Sequence, residues 1–195
     1  MTDLRICFLG DSLTFGQGDE SALGWPGRVV VAAQAAGLDL TGYNLGVRGD
    51  TGAQIAARAA AEVKGRFRSG DAKAVTIFFG ANDIGQDLPL SDSVEALVTL
   101  LTWAAEQKLT AFVLSPPVYA DPLSDALSAG MSAAFAKTCA ERAVAYLDLR
   151  YAGVDWDLWW AQATAGDGIH PGGGAYASLA QAFSDWSAWR SWIGQ

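Results

Sequence analysis

Ser12 stands where a short apolar run stops. Leu4-Arg5-Ile6-Cys7-Phe8-Leu9 ends at Gly10, and Asp11, Ser12, Leu13, Thr14, Phe15 and Gly16 follow. That order reads as a buried strand, a tight turn and a hydroxyl left at the strand's carboxyl end. Open α/β sheets place their ligands at that end. A serine hydroxyl becomes a nucleophile when an adjacent base takes its proton. The chain holds one histidine, His170, in Asp167-Gly168-Ile169-His170-Pro171. Serine chemistry driven by imidazole must therefore use His170. Asp167, three residues earlier, reaches the ring if the loop curls. There it would hold the tautomer and stabilise the imidazolium. Asp155 and Asp157 are rival partners.

Two further strand-like runs end in glycine-containing turns, Asn44-Leu45-Gly46 and Gly80-Ala81-Asn82-Asp83. In a parallel sheet all three ends share one edge. Gly46 then offers a bare backbone N–H and Asn82 a side-chain amide. Acyl transfer needs such donors, aimed at the oxyanion of its tetrahedral intermediate. Each residue also has a plainer reading. A serine after a strand commonly caps a helix. Glycines permit tight turns, and Asn82 could simply bridge backbone groups in its loop.

The elements that must position these groups follow from pattern. Strand one covers Leu4 to Leu9. Trp25-Pro26-Gly27 opens a helix with Val29, Val30, Ala33 and Ala36 on its apolar face, and Gly37 ends it. Thr41 to Gly46 is a second strand. Thr51, with Gln54 three residues on, makes a capping-box pattern for a helix running to about Lys64. Ala74 to Phe79, β-branched and aromatic, predicts a central strand buried on both faces. Ser91 or Asp92 starts a helix that carries Val94, Leu97, Val98, Leu101, Ala104 and Ala105 at a 3.6-residue period. Ala111 to Leu114 is strand four, closed by Pro116-Pro117. Leu127, Met131, Ala134, Phe135 and Thr138 mark another amphipathic helix, and Val144 to Leu149 is strand five. A tryptophan-rich stretch, the histidine loop and a last helix from about Gly174 complete the chain. Strand and helix alternate five times, which predicts an α/β fold with a five-stranded parallel sheet, helices on both faces and strand order 2-1-3-4-5.

Four blocks together, Gly10-Asp11-Ser12-Leu13, Asn44-Leu45-Gly46, Gly80-Ala81-Asn82-Asp83 and Asp167-Gly168-Ile169-His170-Pro171, resemble the signature blocks of the SGNH hydrolases, also called GDSL esterases and lipases. The likeness spans nearly the whole chain, 1–195, as one such domain, and keeps the family's block order. It implies a three-layer α/β/α sandwich and a serine ester hydrolase. Ser12 would be the nucleophile, His170 the base and Asp167 its orienting acid. Ser12 N–H, Gly46 N–H and the Asn82 amide would form the oxyanion hole. The chain departs from the family's pattern at Arg48, where a small residue is common. By that resemblance Arg48 would intrude on the acyl or leaving-group side. The Gly-x-Ser-x-Gly elbow of the α/β-hydrolases is absent, since Thr14 stands at its second glycine.

Composition narrows the partners. The chain has 195 residues, 51% hydrophobic and 17% charged, with a net charge of −8. That charge argues against nucleic acid or an anionic membrane as the main partner. No apolar run approaches the roughly 20 residues of a membrane span. Met1-Thr2-Asp3-Leu4-Arg5 carries no leader, so a cytoplasmic protein is expected. Cys7 and Cys139 lie in apolar patterns and read as small buried hydrophobes. One histidine and two scattered cysteines predict no protein-built metal site, and no cofactor is expected. Gly10 to Gly18 is glycine-rich but lacks the lysine of a phosphate loop. Arg48-Gly49-Asp50 spells an adhesion tripeptide and reads as coincidence.

Eight tryptophans need a place. Trp156, Trp159 and Trp160 precede the histidine loop, and Trp186, Trp189 and Trp192 recur at helical spacing. They are core, or an apolar patch that lines an acyl pocket or pairs two subunits as a homo-oligomer. The substrate is expected to be a small-molecule ester. The short loops suggest an open, shallow site for small or short acyl groups. Carbohydrate O-deacetylase, lysophospholipase and thioesterase activities are alternatives within the family. A catalytically silent oligomeric binding module is an alternative outside it.

Overall fold

The computed structural model describes residues 2–195. Five parallel strands pair in the order β2-β1-β3-β4-β5. They are β1 (Leu4–Gly10), β2 (Leu40–Gly46), β3 (Ala72–Phe78), β4 (Thr110–Leu114) and β5 (Ala145–Leu147). The expected sheet and strand order are therefore present, with the predicted strand five trimmed to three residues. The helices are α1 (Ser12–Phe15), α2 (Gly24–Ala35), α3 (Gly52–Lys64), α4 (Ala81–Gly85), α5 (Leu90–Glu106), α6 (Pro122–Glu141), α7 (Trp156–Ala165), α8 (Gly173–Asp185) and α9 (Ser187–Trp192). The tryptophan-rich stretch is the helix α7, started by Asp155, whose side chain accepts the Leu158 N–H at 2.9 Å. Helix α5 begins at Leu90, one or two residues before the expected Ser91 or Asp92.

Alternation along β1 divides the core. Ile6 and Phe8 point to one face and Cys7 and Leu9 to the other, as the two-residue period of a strand requires. On the first face Trp25, Trp159, Tyr176, Phe183 and Trp189 are fully buried or nearly so. Phe183 lies 5.3 Å from Trp25 and 5.0 Å from Trp189, ring centre to ring centre. On the second face Ile55, Val63, Leu97, Leu101, Met131, Phe135 and Cys139 close over β1, β3 and β4. Burial pushes the Cys7 thiol up to about 12 and the Cys139 thiol up to about 11, so both act as small hydrophobes. Trp186, Trp189 and Trp192 all pack on Phe112, with ring centres 5.5, 6.1 and 6.0 Å away. Trp189 is core, and Trp186 and Trp192 are half-buried against it.

Register sets the floor of the site. Gly10 pairs with Gly46 on one side and with Phe78 on the other, so β1, β2 and β3 end in line. Arg58 on α3 fastens those ends. Its guanidinium donates to Gly10 O (2.9 Å), Leu45 O (2.8 Å) and Asp50 Oδ2 (2.7 Å). No helix among the described residues is long and apolar enough to cross a membrane.

Candidate active site

The hydroxyl at the end of β1 meets the imidazole from the loop before α8. Ser12 Oγ lies 2.9 Å from His170 Nε2, across 158 residues of chain. His170 Nδ1 lies 2.7 Å from Asp167 Oδ2. Asp167 curls its own loop: Oδ1 accepts the Ile169 N–H at 3.0 Å and the His170 N–H at 2.8 Å. That turn places carboxylate and ring together. The His170 and Ile169 N–H groups and the His170 ring hold the Asp167 carboxyl far below the usual range, although its side chain is 49% exposed. The rival Asp155 is spent as the cap of α7. The loop is tied down elsewhere, since Tyr176 Oη donates to Gln17 O at 2.8 Å and Gly173 N–H to Glu20 Oε2 at 3.0 Å.

Asp11 caps α1 from below. It is buried, and its Oδ1 accepts the Leu13 N–H at 2.9 Å. Ser12 is the first residue of that helix, so its N–H has no intrahelical acceptor. Asn82, at the start of α4, turns its amide toward the same place. Nδ2 donates to Asp50 O at 2.9 Å and, at a long 3.3 Å, to Asp11 Oδ2. Burial pushes the Asp11 carboxyl up to about 7, opposed by the Leu13 N–H and reinforced by Asp83 and Asp50. Asp83 is also buried. It accepts the Gly52 N–H at 3.0 Å and the Ser93 hydroxyl at 2.8 Å, which locks the start of α3 against α4 and α5.

The expected donor Gly46 is corrected. Its N–H is taken by Asn44 Oδ1 at 3.0 Å, and it does not line the cavity. It is a glycine for another reason: an added Cβ would lie 2.1 Å from Phe15 N, inside the turn that carries Ser12. The glycine on the cavity wall is three residues later. Gly49 has φ +83 and open space around its Cα, and its N–H meets no acceptor among the described residues. The strand simply runs through Gly46 and turns afterwards. A visible signal was the Gly49-Asp50 pair immediately before the α3 cap Thr51, whose N–H donates to Gln54 Oε1 at 2.8 Å. Asp83 and Arg58 were also missed as site supports. Asp83 was visible only as the last residue of the Gly80-Ala81-Asn82-Asp83 block, and Arg58 carries no local pattern.

Ser12, His170, Asn82, Gly49 and Arg48 open into one cavity of about 950 Å³. Leu13, Ala81, Ile84, Pro117, Tyr119, Leu123, Leu127, Trp159, Trp160 and Ile169 supply most of its remaining wall. Arg48 lines the cavity, exposed and outside every ion pair among the described residues. The two tryptophan groups therefore divide. Trp159 and Trp160 reach the cavity, whereas the C-terminal set packs against the core on Phe112, away from the cavity wall.

This sheet order, with a serine at the end of β1 and a histidine delivered by the last loop, defines an SGNH-type α/β hydrolase, a carboxylic ester hydrolase. The chain belongs to the GDSL-like lipase/acylhydrolase family, whose model matches residues 8–177. Solved structures share the fold. A psychrotrophic esterase from Pseudoalteromonas sp. is 20% identical with a TM-score of 0.76, covering 98% of this chain and 99% of that one. A lipase/acylhydrolase from Enterococcus faecalis is 25% identical with a TM-score of 0.74, covering 97% and 95%. An acetyl xylan esterase from Geobacillus stearothermophilus is 22% identical with a TM-score of 0.71, covering 97% and 94%. No curated protein matches the sequence.

Proposed function

We propose that the chain hydrolyses carboxylic esters with Ser12 as nucleophile, His170 as general base and acid, and Asp167 as the group that orients the imidazole. The 2.9 Å contact between Ser12 Oγ and His170 Nε2 carries this reading. Ser12 Oγ attacks the ester carbonyl while His170 Nε2 takes its proton. The resulting oxyanion lies among Ser12 N–H, Gly49 N–H and Asn82 Nδ2. Asn82 can serve because its bond to Asp11, at 3.3 Å, is longer than the usual 2.9–3.0 Å and is cheaply given up. Collapse expels the alcohol with the proton from His170. Water then attacks the acyl-serine by the same steps. Asp167 stays ionised throughout, because the groups around it hold its proton affinity low.

Labelling tests the nucleophile. A dialkyl p-nitrophenyl phosphate should add one phosphoryl group, found on Ser12 by peptide mass analysis, and should stop turnover of p-nitrophenyl acetate. The structure of the Pseudoalteromonas esterase is of that protein inhibited by monoethylphosphonate, the same kind of probe. Ser12→Ala should lose both labelling and turnover, by about 10⁶-fold for the latter. Labelling that persists at another serine ends the assignment. A folded wild-type protein that hydrolyses no ester favours the silent binding module instead.

A further inference from the structure

Helix α6 carries leucine or another apolar residue at every fourth position through its first four turns: Leu123, Leu127, Met131 and Phe135. Residues four apart share one helix face. Met131 and Phe135 are buried in the core, but Leu123 is 72% exposed and Leu127 is 49% exposed. The core stripe thus runs on into the cavity that holds Ser12. Ile169, beside His170, is 62% exposed on the same rim. Large apolar side chains left open next to a nucleophile mark a place that a ligand covers.

The wall is cross-tied before anything binds. Asp121 caps α6 by accepting the Ser124 N–H at 2.8 Å, and Pro122 fills the first helical position. Asp125 accepts the Tyr119 N–H at 3.0 Å and pairs with Arg150 at 2.8 Å. Ser128 Oγ donates to Pro117 O at 2.6 Å. Trp160 stacks on Tyr119 with ring centres 5.7 Å apart and donates its indole N–H to Val118 O at 2.9 Å. A preformed groove spares the ordering cost that a floppy one would levy on binding.

Resting on the esterase reading above, the geometry points to this groove as the seat of the substrate's acyl chain, and to an aliphatic acyl group of medium length as the preferred one. This reverses the short-acyl expectation drawn from loop length. The sheet supplies the ruler. Ser12 follows β1 and the groove follows β4, two strands away in the order β1-β3-β4. Strands lie about 4.8 Å apart, so the span is about 10 Å. An extended chain advances about 1.2 Å per bond, since three backbone bonds cover about 3.3–3.6 Å. About eight carbons fill the distance. The cavity is continuous from Ser12 to Leu123 and Leu127, which favours the substrate's own chain over a second protein molecule as the occupant.

The test is a series of p-nitrophenyl esters from acetate to dodecanoate, each held below its aggregation threshold. Wild-type kcat/KM should climb about two- to fourfold per methylene up to about octanoate and then level. Full burial of a methylene, at about 0.8 kcal/mol, corresponds to the fourfold limit. Leu123→Ser and the pair Leu123→Ser/Leu127→Ser should lower the octanoate-to-acetate ratio by about tenfold or more. Val31→Ser, exposed on α2 and outside the cavity wall, should leave the whole profile unchanged. A wild-type profile that is flat or falls beyond butyrate overturns the inference. So does a double variant that keeps the wild-type slope. Sedimentation showing a dimer that the double variant dissociates, with the slope intact, would give the patch to a second copy. Turnover of no ester by folded protein would instead remove the esterase reading on which the inference stands.

Discussion

Two carboxylates attend Ser12, and their surroundings drive them apart. Asp11 precedes it in the chain and is buried beneath α1, where desolvation pushes its carboxyl up to about 7. Asp167 reaches it through His170, sits half in water and is held low by backbone N–H groups and the ring. The same functional group is therefore tuned for opposite tasks. In the proposed mechanism Asp167 would keep a full negative charge against the imidazolium formed during turnover. Asp11 caps a helix and touches Asn82, where a permanent charge beside Asp83 and Asp50 would be costly. Charge is kept where backbone N–H groups and the ring meet it and discouraged where burial strips it of water, with Asp83 and Asp50 adding to that cost.

The strongest way to break this contrast is Asp167→Asn. Removing the charge without changing the shape should cost about 10⁴ in kcat. The fold should hardly notice, because the group is half exposed. A loss under tenfold in p-nitrophenyl ester assays would mean that Asp167 only shapes its loop. Its stability term has a definite sign. An acid held low in the folded chain stabilises it above the unfolded value near pH 3.9, and that contribution fades as the pH falls through the folded value.

Asn82→Ala comes next. It should lower kcat by about 10²–10³, which is about 2.7–4 kcal/mol of transition-state stabilisation, with KM little changed. It also leaves Asp11 without a side-chain donor, so it probes both sides of the contrast. Unchanged kcat would remove Asn82 from the oxyanion site.

Asp11→Asn is the smallest of the three and the one that sharpens the picture most. Between about pH 4 and pH 7 the unfolded chain has lost the Asp11 proton while the folded chain retains it. Folded-state stability then falls as pH rises, by up to a few kcal/mol. The variant lacks this slope. Urea midpoints at pH 4.5 and pH 7.5 should therefore shift in favour of Asp11→Asn at the higher pH. A difference that does not change with pH would mean that Asp11 is ionised in the folded protein, and the contrast would collapse.

Local order made much of this legible. Period-two strands and period-3.6 helices are written in neighbouring residues, so the five strands and their crossovers could be read directly, along with Ser12 at a strand end. His170 followed from being alone of its kind. Boundaries were less readable where tertiary contacts overrode propensity. Val144 and Leu149 look like strand residues, yet β5 pairs with β4 only over Ala145–Leu147. Leu127 fits the α6 core stripe by spacing, but the helix enters the cavity there and leaves it exposed.

The amino-acid order by itself determined the alternating architecture and the set of residue types at the sheet's carboxyl edge. It could do so because hydrophobic period and turn chemistry act over a few residues. Only the folded chain decided which glycine faces the cavity, because the end of β2 is set by pairing with β1 and by Asn44's side chain rather than by glycine's presence. Only the folded chain, likewise, brought Ser12 and His170 to 2.9 Å and set Leu123 and Leu127 beside them. Those distances depend on how whole layers pack across a gap of more than a hundred residues, and no local pattern encodes that.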